Sequence, residues 1–266
     1  MRKAVVAGSW YEGDANRLER QLQGFFADFP RAEHEQVRGA VVPHAGYMYS
    51  GRVAASVYAR LPHADTFVIL GINHQGIGSL IAASAEPWET PLGVVETDEA
   101  FVEALPKRII DVDETAHMYE HSIELQLPFL QFCFKKSFRI VPISIGLNDE
   151  ETAREIGDDL ASTIAGYNKR VIIIASSDFT HYEPERIARD KDEYVIEAIK
   201  ELDVPKFFKR VYERNVTACG IAPIGAMLQA ARQLGATKGL MTTYMTSGDV
   251  TGERSSVVGY GGLIIV

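Results

Sequence analysis

Four short, almost uninterrupted apolar runs constrain this chain most: Gly39–Val42, Thr66–Gly71, Arg139–Ile145 and Arg170–Ala175. Runs of that length without polar alternation read as strands covered on both faces, which is the pattern of a parallel sheet. The stretches between them have helical spacing. Asp14–Phe29 carries Leu18, Leu22, Phe25 and Phe26 on one face, with Asp14 placed as N-cap and Pro30 as terminator. Further helices are predicted over Val53–Arg60 (ended by Pro62), Glu99–Leu105, Ala116–Phe132 (with Pro128 inside it), Glu150–Ala165, Glu185–Leu202, Pro205–Glu213 and about Pro223–Leu234. Ser79–Glu96 reads as a hairpin turning around Pro87–Pro91, and Gly239–Thr246 and Ser255–Val266 as two closing strands joined by SGDVTGER. Strands alternating with helices predict an α/β fold, a mostly parallel sheet with helices on both faces. No repeat, low-complexity tract or linker divides residues 1–266, so a single domain is expected.

Charge and cysteine content narrow the setting. Thirty-six acidic residues against 27 basic ones, a net charge of −9, argue against the basic face that nucleic acid requires. Two cysteines, Cys133 and Cys219, do not form a disulfide framework and fit a reducing compartment. The first residues, MRKAVVAGSWYEGD, lack an apolar core of signal-peptide length, and no run approaches the roughly 18 apolar residues of a membrane span. A cytoplasmic protein with no nucleic-acid or membrane partner is expected.

The chemistry sits where strands end. His44, His74 and His181 each follow an apolar run. In open α/β sheets ligands bind at the carboxyl ends of strands, so three such imidazoles can share one site. His34 and His63 are expected on the surface. Cys219 precedes Gly220 at the start of a helix, where free N–H groups and the helix dipole favour a thiolate. Two histidines and one anionic ligand are the donor set of non-haem iron sites, here with thiolate in place of carboxylate, which suits iron, zinc or copper. Asp178 and His181 then stand beside the ligands, His181 to move protons and Asp178 to fix its tautomer. A competing pattern is His117-Met118-Tyr119-Glu120-His121, the H-x-x-E-H string of inverted zinc proteases, if those residues share a helix face. No phosphate-binding loop is present, and GYGG at Gly259–Gly262 lacks a nucleotide-binding context. Trp10 and Tyr11 read as core or rim.

Several motifs together carry a family resemblance: AGSWY (7–11), VPHAGYMYSG (42–51), LGINHQG (70–76), EHSIELQLPFL (120–130), SSDFTHY (176–182), ACG (218–220), and TSGDVTG with VVGY near the end. Over nearly its whole length the chain resembles the Memo family, protein B of the so-called AmmeMemoRadiSam system. The resemblance implies a class III extradiol dioxygenase-like α/β fold. It implies a metal, iron foremost with copper or zinc as alternatives, on His44, His74 and Cys219, with His181 and Asp178 as the catalytic residues of the pocket. Ile72 departs from the smaller residue or proline expected before Asn73-His74, and leaves the ligand in place. The implied activity is metal-dependent redox chemistry on an unknown small molecule. The alternative is a non-enzymatic module that binds a peptide or protein. Implied partners are a radical-SAM protein and its small companion protein.

Overall fold

In the computed structural model, which describes residues 1–266, the four apolar runs lie side by side. The first half of the chain contains α1 (Ala15–Phe26), β1 (Gly39–Val42), α2 (Tyr47–Tyr58), β2 (Thr66–Ile72), β3 (Ile81–Ala83), β4 (Trp88–Thr90), β5 (Gly93–Val95), α3 (Glu99–Ala104), β6 (Asp111–Val112) and α4 (Leu127–Cys133). The second half contains β7 (Arg139–Ile145), α5 (Glu150–Ala165), β8 (Val171–Ser176), β9 (His181–Glu183), α6 (Glu185–Lys200), α7 (Val204–Arg214), α8 (Ile221–Gln233), β10 (Gly239–Thr246), α9 (Gly248–Thr251) and β11 (Val257–Ile265).

The main sheet runs β10-β11-β1-β8-β2-β7-β3-β6, with β9 on β11. Its centre, β1-β8-β2-β7, is parallel throughout, as the apolar runs predict. Antiparallel strands β11 and β3 extend it on either side. Alternate residues of the central strands enter different cores, because successive side chains of a strand point to opposite faces. Val41, Val68 and Ile173 pack in the core that includes residues of α5, α6 and α8. Ala40, Val42 and Ile69 pack with α1, α2 and α4. Val42 is level with Ser176, so β1 and β8 deliver their following residues at the same edge, and β2 lies on the other side of β8. No helix is long and apolar enough to cross a membrane.

Three segments differ from the sequence-based expectation. Helix α2 starts at Tyr47, six residues before Val53, so Gly51 lies inside a helix rather than in a loop. A Cβ there would stand 2.5 Å from the Phe25 ring of α1, and glycine serves close helix contact. The hairpin is shorter than expected. Only β4 and β5 form it, while β3 joins the main sheet against β7. Residues 116–132 are not one helix. Short 3₁₀ turns at Glu114–His117 and Glu124–Gln126 flank an irregular stretch, and Pro128 lies in the first turn of α4, where its missing N–H costs nothing.

A buried ion pair holds that irregular segment. Arg2 pairs with Glu124, donates to the carbonyls of His117 and Glu120, and stacks over Trp88 at 4.3 Å. Glu124, fully buried, also accepts from the Val5 and Val6 amides (2.9 and 3.1 Å) and the Tyr11 hydroxyl (2.8 Å). Removing one partner of such a pair strands a charge. Glu124→Ala is therefore expected to lower unfolding free energy by about 3–5 kcal/mol in urea titrations, and the apolar pair Arg2→Met/Glu124→Leu to lose less. Equal losses in the two variants would contradict the assignment.

Candidate metal centre

Beyond the carboxyl ends of β1, β2 and β8 lies an open pocket of about 740 Å³ whose lining includes His44, His74, His121, Asp178 and His181. The three strand-end histidines of the sequence thus meet at one site, joined by a fourth that sequence reasoning had placed in a protease string. The potential donor atoms of His44, His74 and His121 all lie within 4.8 Å of one another. Cys219 meets this group at His44, with Sγ 3.1 Å from Nε2.

Each neutral imidazole has one proton and two nitrogens, so an acceptor fixed at one nitrogen frees the lone pair of the other. For His44 the partner is Ser176, on β8, with Nδ1 to Oγ at 2.9 Å. That hydroxyl gives its own hydrogen to the Ser122 carbonyl (2.7 Å) and accepts from Gln126 Nε2 (2.9 Å). Gln126 is itself oriented by donating to the Pro43 carbonyl and accepting from Tyr58. Ser176 therefore has only a lone pair left for His44, the proton sits on Nδ1, and Nε2 faces Cys219 as an acceptor.

His74 is fixed by Glu120, whose carboxylate takes Nδ1–H at 2.9 Å and the His74 amide at 2.8 Å. Glu120 also accepts from the His121 and Ser122 amides. Burial alone would raise its carboxyl. The hydrogen bond from His74, the charges of His74 and His121 and the amides outweigh this and hold it down at about 2. His121 stacks on His74 (4.6 Å between ring centres) and against Trp10 (4.4 Å). Burial pushes it down to about 4, so it is a neutral ring at physiological pH. Desolvation, followed by the neighbouring His74 and His121, holds His44 well below its ordinary range.

The other expected residues are placed as follows. His181 starts β9, with its Nδ1 on the Thr217 carbonyl at 2.9 Å and its amide on the Thr217 hydroxyl. Thr217, rather than Asp178, fixes its tautomer and leaves Nε2 free. Asp178 receives the His44 amide on Oδ1 at 2.8 Å, and burial pushes its carboxyl up to about 6. The 176–178 and 217–220 loops are stitched together through Cys219 N to the Asp178 carbonyl (3.3 Å) and Gly220 N to Ser177 Oγ (2.9 Å). A Cβ on Gly220 would stand 2.5 Å from that of Ser177, so only glycine permits this approach. Burial, then the Asp178 carboxylate, pushes the Cys219 thiol well up, against the expectation from its helix start. A coordinated cation reverses that, since metal-bound thiols lose their proton. Cys133 and Cys219 are both free.

The protease string does not assemble. His117 and His121 are not on a common helix. His117 lies fully buried edge-on to Trp88, with no hydrogen-bond partner on either ring nitrogen. His34 and His63 are half-buried rather than on the surface. Because the segment was read as a helix, Glu120 and His121 were assigned to the protease string, and Ser122 and Gln126 were overlooked as site residues. Their signal is the density of polar groups in EHSIELQ, with no apolar stripe to bury them against.

The family model described as Memo-like protein matches residues 2–264. A MEMO1 family protein of Methanosarcina barkeri is 50% identical over 265 residues, covering 100% of both chains. Similar proteins of Archaeoglobus fulgidus and Methanopyrus kandleri are 45% and 42% identical, each covering 99% of this chain and 99% and 98% of their own. Among solved structures, an uncharacterized protein of Escherichia coli K12 superposes with a TM-score of 0.55 at 14% identity, covering 86% of this chain and 99% of its own. That likeness shows the α/β fold alone.

The hydrogen-bond pattern generates a direct test. Glu120→Gln is expected to weaken metal binding, measured by competition with a chelating dye, by about 10–100-fold with the protein still folded. His117→Leu removes the other end of the protease string and is expected to leave the affinity unchanged. The reverse ranking would discard this site.

Proposed function

The chain belongs to the Memo family, and from that premise we propose that the pocket is a metal centre for redox chemistry on a small organic substrate, with His44, His74 and Cys219 as ligands. The observation that carries the reading is His44, whose Nδ1–H is committed to Ser176 and whose Nε2 stands 3.1 Å from the Cys219 thiol, beside His74, whose Nδ1–H is committed to Glu120 and whose ring centre lies 5.4 Å from that of His44. The donor chemistry fits. Bonds of about 2.1 Å to nitrogen and about 2.3 Å to sulfur put ligand atoms roughly 3.1–3.6 Å apart, and the Sγ–Nε2 separation is 3.1 Å. Iron is the first choice and copper or zinc the alternatives, since imidazole with thiolate suits all three. Bound there, such an ion would supply Lewis acidity and, for iron or copper, one-electron chemistry.

The chain's own residues have separable roles in this reading. Glu120 and Ser176 aim the two rings. His181 presents a free Nε2 to the pocket from a backbone-anchored Nδ1–H and serves as the proton donor and acceptor. Asp178 closes the loop over His44 through the backbone amide. His121, whose donor atom is also within reach of the other two histidines, is the competing third ligand.

Metal analysis on protein purified without oxygen and loaded with iron(II) tests the assignment. His44→Ala and His74→Ala are each expected to emerge without stoichiometric metal, and Cys219→Ser to lose more affinity than His121→Gln. If His121→Gln loses more, the ligand set is three histidines. His181→Gln is expected to keep its metal and lose substrate-dependent oxygen uptake. A metal-loaded wild-type protein with no such uptake across aromatic substrates would instead favour a non-catalytic binding module.

A further inference from the structure

One phenol of the pocket has no partner inside the protein, and what it would bind deepens the reading of the pocket as a site for a small organic substrate, on which this inference rests. Tyr11, Tyr49, Tyr182 and Tyr260 all line the pocket. Tyr11 commits its hydroxyl to Glu124 at 2.8 Å. Tyr182 is exposed and Tyr49 half-buried, so water serves their hydroxyls. Tyr260 is different. It is 2% exposed, and its Oη is hydrogen-bonded to no protein atom. That oxygen is not sealed in the core either, so it opens on the pocket.

The backbone fixes the direction of this side chain. Tyr260 is level with Met245 of β10, and on the other side of β11 the Phe179 amide donates to the Gly259 carbonyl (2.8 Å) and the Gly259 amide to the Thr180 carbonyl (2.9 Å). A Cβ on Gly261 would stand 2.6 Å from the Phe179 ring, which belongs to the core shared with α5, α6 and α8. Successive side chains of a strand point to opposite faces, so Tyr260 projects away from that core. Val258 does the same, and it lines the pocket too. Val258 is level with His181 on β9. Diagonal neighbours of an antiparallel pair lie about 7–8 Å apart, within reach of an aromatic side chain. Tyr260 and His181 therefore flank one stretch of the wall.

A buried tyrosine ordinarily finds a partner for its hydroxyl, and an unpaired one calls for an explanation. Burial, then the Asp178 carboxylate, pushes this phenol well up, so it stays protonated and donates. Being uncharged, it sets no preference between cations and anions and asks only for a lone pair. A cation on the metal ligands would act in addition to it. We propose that Tyr260 is a specificity-determining residue of the pocket, which donates its hydroxyl hydrogen to a carbonyl or hydroxyl oxygen of a small organic substrate.

Acetophenone and isopropylbenzene have nearly the same shape, and only the first carries an acceptor oxygen. Both are titrated by ligand-detected NMR into the metal-loaded and the metal-free protein. Tyr260→Phe is expected to weaken acetophenone about three- to tenfold in both forms, the worth of one neutral hydrogen bond, and to leave isopropylbenzene unchanged. Without ligand, the variant is expected to keep the wild-type denaturation midpoint, because no bond within the protein is lost. A lowered midpoint would give the hydroxyl a structural partner and overturn the proposal. So would acetophenone binding that is untouched by the substitution, equal weakening of both probes, or an effect confined to the metal-loaded form, which would assign the oxygen to the cation. Each of those outcomes leaves the small-molecule reading standing. Binding of neither probe to the wild type, with metal content intact, overturns both.

Discussion

A neutral imidazole cannot donate from one nitrogen and offer a lone pair from the other unless something fixes the proton. Here Ser176, Glu120 and Thr217 fix it for His44, His74 and His181 in turn. All three rings are held in the same tautomer, with Nδ1 facing the protein. The acceptors come from three different sources: a strand end, an irregular segment and the loop before α8. The site therefore depends on the sheet only in part. The parallel order β1-β8-β2 sets the height at which the rings emerge, and the other segments decide which nitrogen each ring presents.

That division explains what could be read in the sequence. Apolar runs report burial, so the strands, their order along the chain and the three strand-end histidines were legible from Gly39–Val42, Thr66–Gly71 and Arg170–Ala175. Cys219 was legible from its helix start. The start of α2 was not, because Gly46 and Gly51 mark a loop in sequence but serve an N-cap and a packed helix contact in the fold. The helix drawn through 116–132 failed for a related reason. Periodicity counts apolar spacing and is blind to polar side chains that bond distant backbone, such as Glu124 with the Val5 and Val6 amides.

Burial acts on the site's groups in opposite directions according to their partners. Glu120 has a ring N–H and several amides aimed at it and stays ionised, while Asp178, as deeply placed, is pushed up. The Cys219 thiol is pushed up as well, and His44 and His121 are kept neutral. Neutral imidazoles are the form a cation needs, and in the proposed ligand set the thiol is the one donor that would have to lose a proton on binding. Under that proposal metal uptake would release a proton at Cys219, with the cation's own charge supplying the driving force that the helix start does not.

The irregular stretch 118–126 is where folding and site chemistry meet. Glu120 reaches His74, the Ser122 carbonyl receives Ser176, and Gln126 reaches the same Ser176 beneath His44. In an α-helix, residues 120 and 126 would point about 120° apart around the axis, and one helix could not serve both rings. Breaking the helix costs backbone hydrogen bonds. Arg2 makes up part of that loss by donating to the carbonyls of His117 and Glu120 while pairing with Glu124. The same ion pair fastens the N-terminal segment that brings Trp10 onto His121 and Glu12 to the pocket mouth. Glu120, which aims His74, and the Trp10–Glu12 wall of the pocket are therefore held by one buried interaction, far from any apolar periodicity.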